Sequence, residues 1–256
     1  MADHPPVLVA PDAFGPELRA PAVAAAIARG LERAGVTPLP ELCPVSGGGT
    51  GTIEVLLPAL GGETRDGYAL IEDGGTAIVE LAPTAELTAK CLVAASRSGA
   101  DVLVLAAAGG PLRPVAVDDE ALLAAVAEHG GLTAAFIVLC DARAPGALAE
   151  RLRDAAGARL VAGVGFVLDA LGFDGRMRGA RALVVGDGRL ERGTLQRRVT
   201  GEIATRARQI GVPCHAVAGI DAIDRFDARI LDLQAIIEAS SIAALEAAGE
   251  ALADYL

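Results

Sequence analysis

Lysine is almost absent from this sequence of 256 residues, because Lys90 is the single lysine and every other one of the 22 basic residues is an arginine. Asp and Glu together number 33, which gives a formal net charge of −11 at pH 7. A chain with this charge is repelled by the phosphate backbone of nucleic acids and by anionic lipid surfaces. We therefore expect neither a nucleic acid nor a membrane among its partners.

Other missing features exclude further classes of protein. The four cysteines lie far apart and contain no Cys-x-x-Cys pair, so their spacing indicates neither a zinc site nor a redox motif. No uninterrupted apolar run approaches the ~20 residues of a membrane-spanning helix, and the amino terminus lacks the pattern of a secretion signal. None of the three histidines has a recognisable partner for Ser-His-Asp or Cys-His catalysis. We expect a cytoplasmic protein.

The sequence does contain a regular alternation of two patterns. Hydrophobic residues make up 52% of the chain, and short β-branched runs alternate with Ala-rich segments of helical period. This alternation is typical of an α/β protein with mainly parallel sheets flanked by helices. The predicted strands are 7–10, 77–81, 102–105, 136–139, 182–185 and 214–218. The predicted helices are 21–34, 52–60, 84–98, 118–129, 145–156, 201–210 and 241–253, and segment 61–75 is predicted as a hairpin or a loop.

A glycine-rich segment, Val45-Ser-Gly-Gly-Gly-Thr-Gly-Thr52, lies between an extended segment and a predicted helix. Glycine amides that precede a helix can face a phosphate or a carboxylate. The residues of this candidate anion site are Gly47, Gly48, Gly49, Thr50, Gly51 and Thr52. No lysine follows the last glycine, so the segment is not the strict phosphate-binding loop. The alternative is a plain tight turn capped by Thr52.

Two acids follow the predicted strand 182–185. Asp187 and Glu191 stand in the string Gly186-Asp-Gly-Arg-Leu-Glu-Arg192. Loops at the carboxyl ends of strands line the ligand crevice of open α/β sheets. Such acids are suited to bind Mg²⁺ or to act as a base toward a substrate hydroxyl. The alternative is a solvated turn in which Arg189 and Arg192 pair with the acids.

A further acid, Asp141, ends the predicted strand 136–139. Its position suits contact with a ligand. The competing interpretation makes it a helix cap ahead of Pro145.

Directly after the first predicted strand stands the segment Pro11-Asp12-Ala-Phe-Gly15-Pro-Glu-Leu-Arg-Ala20. This segment resembles the opening motif of the bacterial glycerate kinases, Pro-Asp-Ser-Phe-Lys-Gly-Ser-Leu-Ser-Ala. Asp12 keeps the carboxylate of the motif, whereas Gly15 stands where the motif has its lysine. The segment therefore keeps the pattern of the motif but lacks its positively charged lysine.

Three later segments are similar to the same family. Residues 44–52 resemble Pro-x-Ala-Asp-Gly-Gly-Glu-Gly-Thr, with Gly47 and Thr50 in place of the two acids. Residues 184–194 resemble Ile-Thr-Gly-Glu-Gly-Arg-Leu-Asp-x-Gln-Thr, and Arg198 stands at the lysine position that follows. Residues 140–145 resemble Cys-Asp-Val-x-Asn-Pro. Between residues 87 and 163 the resemblance is patchy and the chain is shorter than a typical member.

The resemblance implies a two-lobed architecture with a reduced middle region. Its first lobe would combine residues 1–85 with 181–256, and its second would be a shortened insertion of residues 86–180. It also implies phosphorylation of a hydroxyl of glycerate, or of a similar small hydroxy acid, with ATP and Mg²⁺ as cofactors. The missing lysine leaves two alternatives open: a ligand-binding or regulatory protein without turnover, and a related enzyme for another hydroxy acid.

The roles implied by the resemblance divide the candidate residues into three sets. The catalytic set is Asp187, Glu191 and Asp12. The residues that would bind substrate or phosphate are the glycine-rich segment 47–52 with Arg189, Arg198 and Asp141. The ligands of Mg²⁺ would be Asp187 and Asp141, and self-association is left open.

Overall fold

The computed structural model describes residues 4–109, 118–141, 144–194 and 198–256. Its strands are β1 (Val7–Pro11), β2 (Glu41–Leu42), β3 (Gly62–Arg65), β4 (Tyr68–Ile71), β5 (Thr76–Glu80), β6 (Val102–Ala106), β7 (Ala135–Cys140), β8 (Arg159–Ala162), β9 (Ala182–Asp187), β10 (Cys214–Ala218) and β11 (Leu233–Glu238). Its α-helices are α1 (Ala20–Arg33), α2 (Thr52–Leu60), α3 (Ala85–Ser96), α4 (Asp119–Glu128), α5 (Ala147–Ala156), α6 (Gly163–Ala170), α7 (Phe173–Arg178), α8 (Val199–Ile210), α9 (Arg225–Ile230) and α10 (Ile242–Leu252). None of the helices in these ranges is long and apolar enough to cross a membrane.

The chain forms two compact units. The terminal unit combines the residues up to Ser46 with Gly172–Leu256, and the central unit is Gly47–Leu171. The sequence interpretation placed the boundaries at 85 and 180 instead. The first boundary falls earlier because β3 pairs with β4, β4 pairs with β5 and β5 pairs with β6. These pairings place β3, β4 and β5 in the central sheet.

Both units contain a mainly parallel sheet flanked by helices, which confirms the predicted fold class. In the terminal unit the strand order is β11-β10-β9-β1-β2, and every pairing is parallel. In the central unit the order is β3-β4-β5-β6-β7-β8, with an antiparallel hairpin followed by parallel strands. Parallel strands place their carboxyl ends at one edge of a sheet, where loops that bind ligands usually lie.

Helices α1 and α10 pack closely together over one face of the terminal sheet. Their buried side chains join Val9 of β1 and Val184 of β9 in one apolar cluster. The backbones approach so closely that a Cβ at Gly30 would lie 2.0 Å from the carbonyl oxygen of Glu246. At the exposed seam Arg29 donates to Glu246 over 2.8 Å. Glycine at the crossing is therefore a packing requirement.

The central unit has its own core between its sheet and helices α3, α4 and α5. Leu92, Leu122 and Leu152 of these helices are buried against strand residues such as Leu103 and Val138. This core is separate from the cluster of the terminal unit.

The predicted helices and strands match observed elements closely. The hairpin β3–β4 confirms one of the two interpretations of segment 61–75. The sequence interpretation missed β2, β8 and β11, together with the short helices α6, α7 and α9. A short apolar run such as that of β11 suits a strand or a buried helix equally well, because periodicity does not separate the two over so few residues.

Candidate functional site

Two predicted site residues, Asp12 and Asp187, lie at the ends of neighbouring strands of the terminal unit. Pro11 of β1 is in register with Gly186 of β9, so Asp12 follows one strand where Asp187 ends the other. The backbone amide of Asp12 donates to the carbonyl oxygen of Gly186 over 3.0 Å. The parallel pairing of β1 with β9 therefore brings together two acids from opposite ends of the chain, which we call the carboxylate pair.

Asp12 has the more strongly perturbed carboxyl group. Burial raises its pKa to about 7, and the charge of Asp187 adds to the increase. A hydrogen bond from the Ala13 amide at 2.7 Å and the charge of Arg198 act in the opposite direction. A carboxyl group with this pKa exchanges a proton near neutral pH, as a general base must.

Asp187 is buried but has several hydrogen-bond donors. The residue is 7% exposed, and burial raises the pKa of its carboxyl group. Its Oδ1 accepts from the Arg189 amide at 3.0 Å and from Nη1 of Arg198 at 3.1 Å, which favour the charged form. Asp187 is therefore held in place inside the protein by two donors and is not a solvated surface acid.

Arg198 joins the two acids of the predicted motif. Its Nη1 also donates to the carbonyl oxygen of Arg189 at 2.9 Å, and its Nη2 donates to Oε1 of Glu191 at 3.1 Å. Arg189 holds the second oxygen of Glu191 through its Nε at 2.8 Å. The predicted residues Asp187, Arg189, Glu191 and Arg198 thus form one hydrogen-bonded group. The solvated-turn alternative is correct for the Arg189–Glu191 pair alone, and Arg192 pairs elsewhere.

The segment Gly188–Thr194, which we call the strap, carries Arg189 and Glu191. Leu190 forms an isolated bridge with Asp221, beyond the end of β10. The buried Thr194 closes the strap, because its hydroxyl accepts from the Glu191 amide at 3.1 Å and its own amide donates to the Glu191 carbonyl at 2.8 Å. The strap is thus attached to the terminal unit at Leu190 and closed on itself between Glu191 and Thr194.

Gly15 lies in the loop after β1, which is closed by a hydrogen bond from the Phe14 amide to the carbonyl oxygen of Leu18 at 2.8 Å. A Cβ at Gly15 would meet no heavy atom within 4 Å, but its φ of 155° is one that L side chains rarely adopt. The loop conformation therefore suits glycine, and the cation of the family motif is not replaced at this position.

The glycine-rich segment lies in the central unit and is tightly packed. A Cβ at Gly48 would lie 2.4 Å from Cα of Gly163, and one at Gly49 would lie 2.3 Å from the carbonyl oxygen of Ala108. Thr52 turns inward, and its hydroxyl donates to the carbonyl oxygen of Gly49 at 2.6 Å. The segment is a tight turn at the start of α2, but the N-cap is Gly51, which has no side chain to cap the helix, so the predicted cap by Thr52 is wrong.

Glu80 is a residue that the sequence interpretation missed. Its Oε1 accepts from the amides of Gly51 at 3.0 Å and Ile53 at 2.8 Å. An internal carboxylate thus accepts from one amide of the predicted anion site, that of Gly51, and from the next amide of α2 beyond the site, that of Ile53. A negative charge is favourable at this end of a helix. The available signal was an acid near the end of the predicted strand 77–81.

Asp141 lies directly after β7 in the central unit and is partly buried. Gly146 is the N-cap of α5, so Asp141 does not cap that helix. The motif neighbours 142 and 143 lie outside the described residues. The role of Asp141 as a ligand stays a prediction.

No group of three His, Cys, Asp or Glu side chains with the arrangement of a metal site occurs within the described ranges. Mg²⁺ needs fewer protein ligands than other ions, because it commonly keeps several waters and binds one or two carboxylates together with substrate phosphates. Asp187 supplies a buried, oriented carboxylate of this type. The donor set therefore fits Mg²⁺ that arrives with a phosphate ligand.

The sequence matches the model of a family described as the glycerate kinase family over residues 7–91 and 119–254. The uncharacterised proteins Mb2228c of Mycobacterium bovis and MT2261 of Mycobacterium tuberculosis are each 28% identical, covering 93% of this chain and 84% of the relative. The crystal structure of "putative glycerate kinase 2" from Salmonella typhimurium LT2 superimposes with a TM-score of 0.73, at 17% identity and 98% coverage of each chain. At this identity the superposition shows a shared fold.

Proposed function

This chain belongs to the glycerate kinase family, and we propose that it transfers the γ-phosphoryl group of ATP to a hydroxyl of glycerate or of a similar small hydroxy acid. The observation that carries the proposal is the carboxylate pair. Two acids at neighbouring strand ends have different surroundings, since Asp187 is held by Arg198 while Asp12 has a pKa of about 7. Acids with such different surroundings are suited to different catalytic roles.

We assign the role of general base to Asp12. In the transfer step the substrate hydroxyl oxygen forms a bond to the γ-phosphorus, its proton passes to the Asp12 carboxylate, and the bond from the γ-phosphorus to the bridging oxygen breaks to release ADP. A base with a pKa near the working pH combines the deprotonated state with sufficient basicity. Asp12 therefore has the protonation behaviour that this step requires.

Asp187 is the carboxylate that we assign to Mg²⁺. When bound, Mg²⁺ supplies positive charge that neutralises the phosphate oxygens. The chain's own contribution is to hold the Asp187 carboxylate in one orientation through the Arg189 amide and Arg198. No other step depends on the ion.

Arginine side chains supply the positive charge of the site. Arg198 stands at the family's lysine position, and its guanidinium is suited to meet phosphate oxygens in the transferring group. Glu191 and Arg189 hold this guanidinium and the strap in place. The glycine-rich segment supports the proposal less, because Glu80 already accepts from the Gly51 amide and from the neighbouring Ile53 amide.

A second candidate function is a ligand-binding or regulatory protein that keeps the carboxylate pair and Arg198 without turnover. It is favoured by the glycine at position 15, where the loop conformation suits no lysine. A phosphate-contacting cation can be worth several orders of magnitude in phosphoryl transfer. The two candidates therefore differ in turnover and not in binding.

The test is ATP consumption with Mg²⁺ and a panel of small hydroxy acids, for the wild type, Asp187→Asn and Asp12→Asn. The exposed Asp154→Asn is the matched control, because its carboxylate pairs with the surface Arg153 in the central unit. We expect turnover in the wild type and the control, with a loss of at least ~100-fold in the two site variants. Measurable ligand binding without wild-type turnover would instead support the second candidate.

A further inference from the structure

Asp227 of α9 has a buried carboxylate oxygen that finds no hydrogen-bond partner in the described part of the chain. The residue is 5% exposed, and no donor among the described residues reaches its Oδ2. Its backbone amide is satisfied by the N-cap Asp224 at 2.8 Å, so the side chain is not needed to cap the helix. An unpaired buried carboxylate oxygen is costly, and its presence calls for a physical explanation.

Arg192 of the strap lies near this oxygen. Its Nε is 3.9 Å from Oδ2 of Asp227, within ion-pair distance but beyond a hydrogen bond. The Arg192 side chain is 86% exposed, so it does not contribute to the core. A displacement of about 1 Å would convert the pair into a charge-assisted hydrogen bond.

The pair connects α9 to the segment that carries site residues. Arg192 follows Glu191 directly, and the Glu191 carboxylate is held by both Arg189 and Arg198. The backbone of the strap is attached to the segment after β10 at Leu190, and the hydrogen bonds between Glu191 and Thr194 close a turn within the strap around Arg192. Asp227 therefore contacts the turn of the strap that follows its attachment at Leu190.

We propose that Asp227 is a positioning residue, which acts through Arg192 to hold the strap so that Glu191 and Arg189 keep Arg198 beside Asp187. Its role at the site rests on the proposed function, whereas the fastening of the strap does not. The buried negative charge attracts the arginine, and the arginine offsets the cost of burying the carboxylate. Neutralising either partner should loosen the strap to a similar extent.

The experiment is amide hydrogen exchange in the ligand-free protein, followed by NMR. We expect exchange at Leu190, Glu191 and Thr194 to become roughly two- to tenfold faster in Arg192→Gln. Asp227→Asn should act similarly, and the double variant should exchange no faster than the single ones because both remove the same interaction. The amide of Val217 in β10 should not change.

Arg192→Lys is the conservative variant, and it should keep exchange in the strap close to the wild-type rate because the charge is retained. Since Arg192 is exposed, its replacement tests the pair without the risk that the protein fails to fold. Strap exchange that is unchanged in Arg192→Gln would overturn the proposal.

A kinetic assay distinguishes a failure of this proposal from a failure of the proposed kinase function. In an active enzyme Arg192→Gln should lower kcat with little change in the KM for ATP, and Arg192→Lys should restore kcat. An unchanged kcat would overturn the positioning role. A wild type without turnover, but with faster strap exchange in Arg192→Gln, would remove the kinase function and leave the fastening of the strap established.

Discussion

Replacing Asp12 by asparagine tests the assignment of a base without an activity assay. The substitution keeps the size of the side chain, and the Asn oxygen can still accept from the Ala13 amide that bonds Asp12 at 2.7 Å. It removes the ionisable group whose pKa is raised from 3.8 to about 7 by burial and by Asp187. Any pH dependence of unfolding that belongs to this carboxyl must disappear in the variant.

The sign of the effect follows from proton linkage. Because the folded state holds the proton more tightly, Asp12 contributes stability that is fully present below its unfolded pKa and is lost as the pH rises through about 7. Between about pH 5.5 and about pH 8.5 this group alone should lower the wild-type free energy of unfolding by about 2 kcal/mol. Both conditions lie above the sequence pI of about 4.8, where the protein is negatively charged.

The measurement is urea unfolding at several values of pH in this window for the wild type and Asp12→Asn. We expect the stability of the variant relative to the wild type to rise by about 2 kcal/mol across the window. Asp154→Asn is again the control, and its difference from the wild type should stay flat because the exposed Arg153 lowers the pKa of Asp154. A difference between Asp12→Asn and the wild type that is independent of pH would refute the reasoning.

Three further perturbations test the packing and the buried polar groups. Gly30→Ala should destabilise the protein by roughly 2–4 kcal/mol in thermal unfolding, because its Cβ would overlap the Glu246 carbonyl, whereas Gly175→Ala, with open space around it, should be neutral. His215 is 1% exposed, neither ring nitrogen has a partner among the described residues, and burial lowers its pKa. His215→Leu should therefore remove a loss of stability that the wild type shows in urea as the pH falls below about 6.5. Glu80→Ala should cost roughly 1–3 kcal/mol in urea unfolding because two amides at the start of α2 lose their acceptor, and Glu80→Gln should cost less.

The sequence predicted individual elements better than their arrangement. Local patterns placed Asp12 and Asp187 at the ends of strands, since an apolar run followed by an acid is visible in the sequence. Their proximity depends on β1 pairing with β9, and no local pattern encodes that pairing. The same limit displaced the first domain boundary, because the pairing of β5 with β6 assigns residues 47–85 to the central sheet.

Residues that act through burial were the hardest to predict. Asp227 lies between β10 and β11, and the sequence interpretation missed β11, so nothing marked this acid as enclosed. Glu80 was hidden for a different reason, because an acid at the end of a strand is also common on the surface. The group of Asp187, Glu191 and Arg198 could be predicted from the sequence, because all three residues stand within one short stretch of it.

The carboxylate pair cannot give both of its members the same task. A cation bound directly to Asp12 would stabilise its charged form and lower its pKa, which would make it a weaker base at neutral pH. The Arg189 amide and Arg198 already stabilise the charged form of Asp187. A cation bound to Asp187 would therefore take little basicity from the site. The charge of Asp187 is also one of the causes of the raised pKa of Asp12. If a cation neutralises Asp187, Asp12 keeps the contribution from burial, which is the largest one, and loses only the contribution from its neighbour. The assignment of the ion to Asp187 and of the proton to Asp12 is therefore the division of roles that leaves both groups functional.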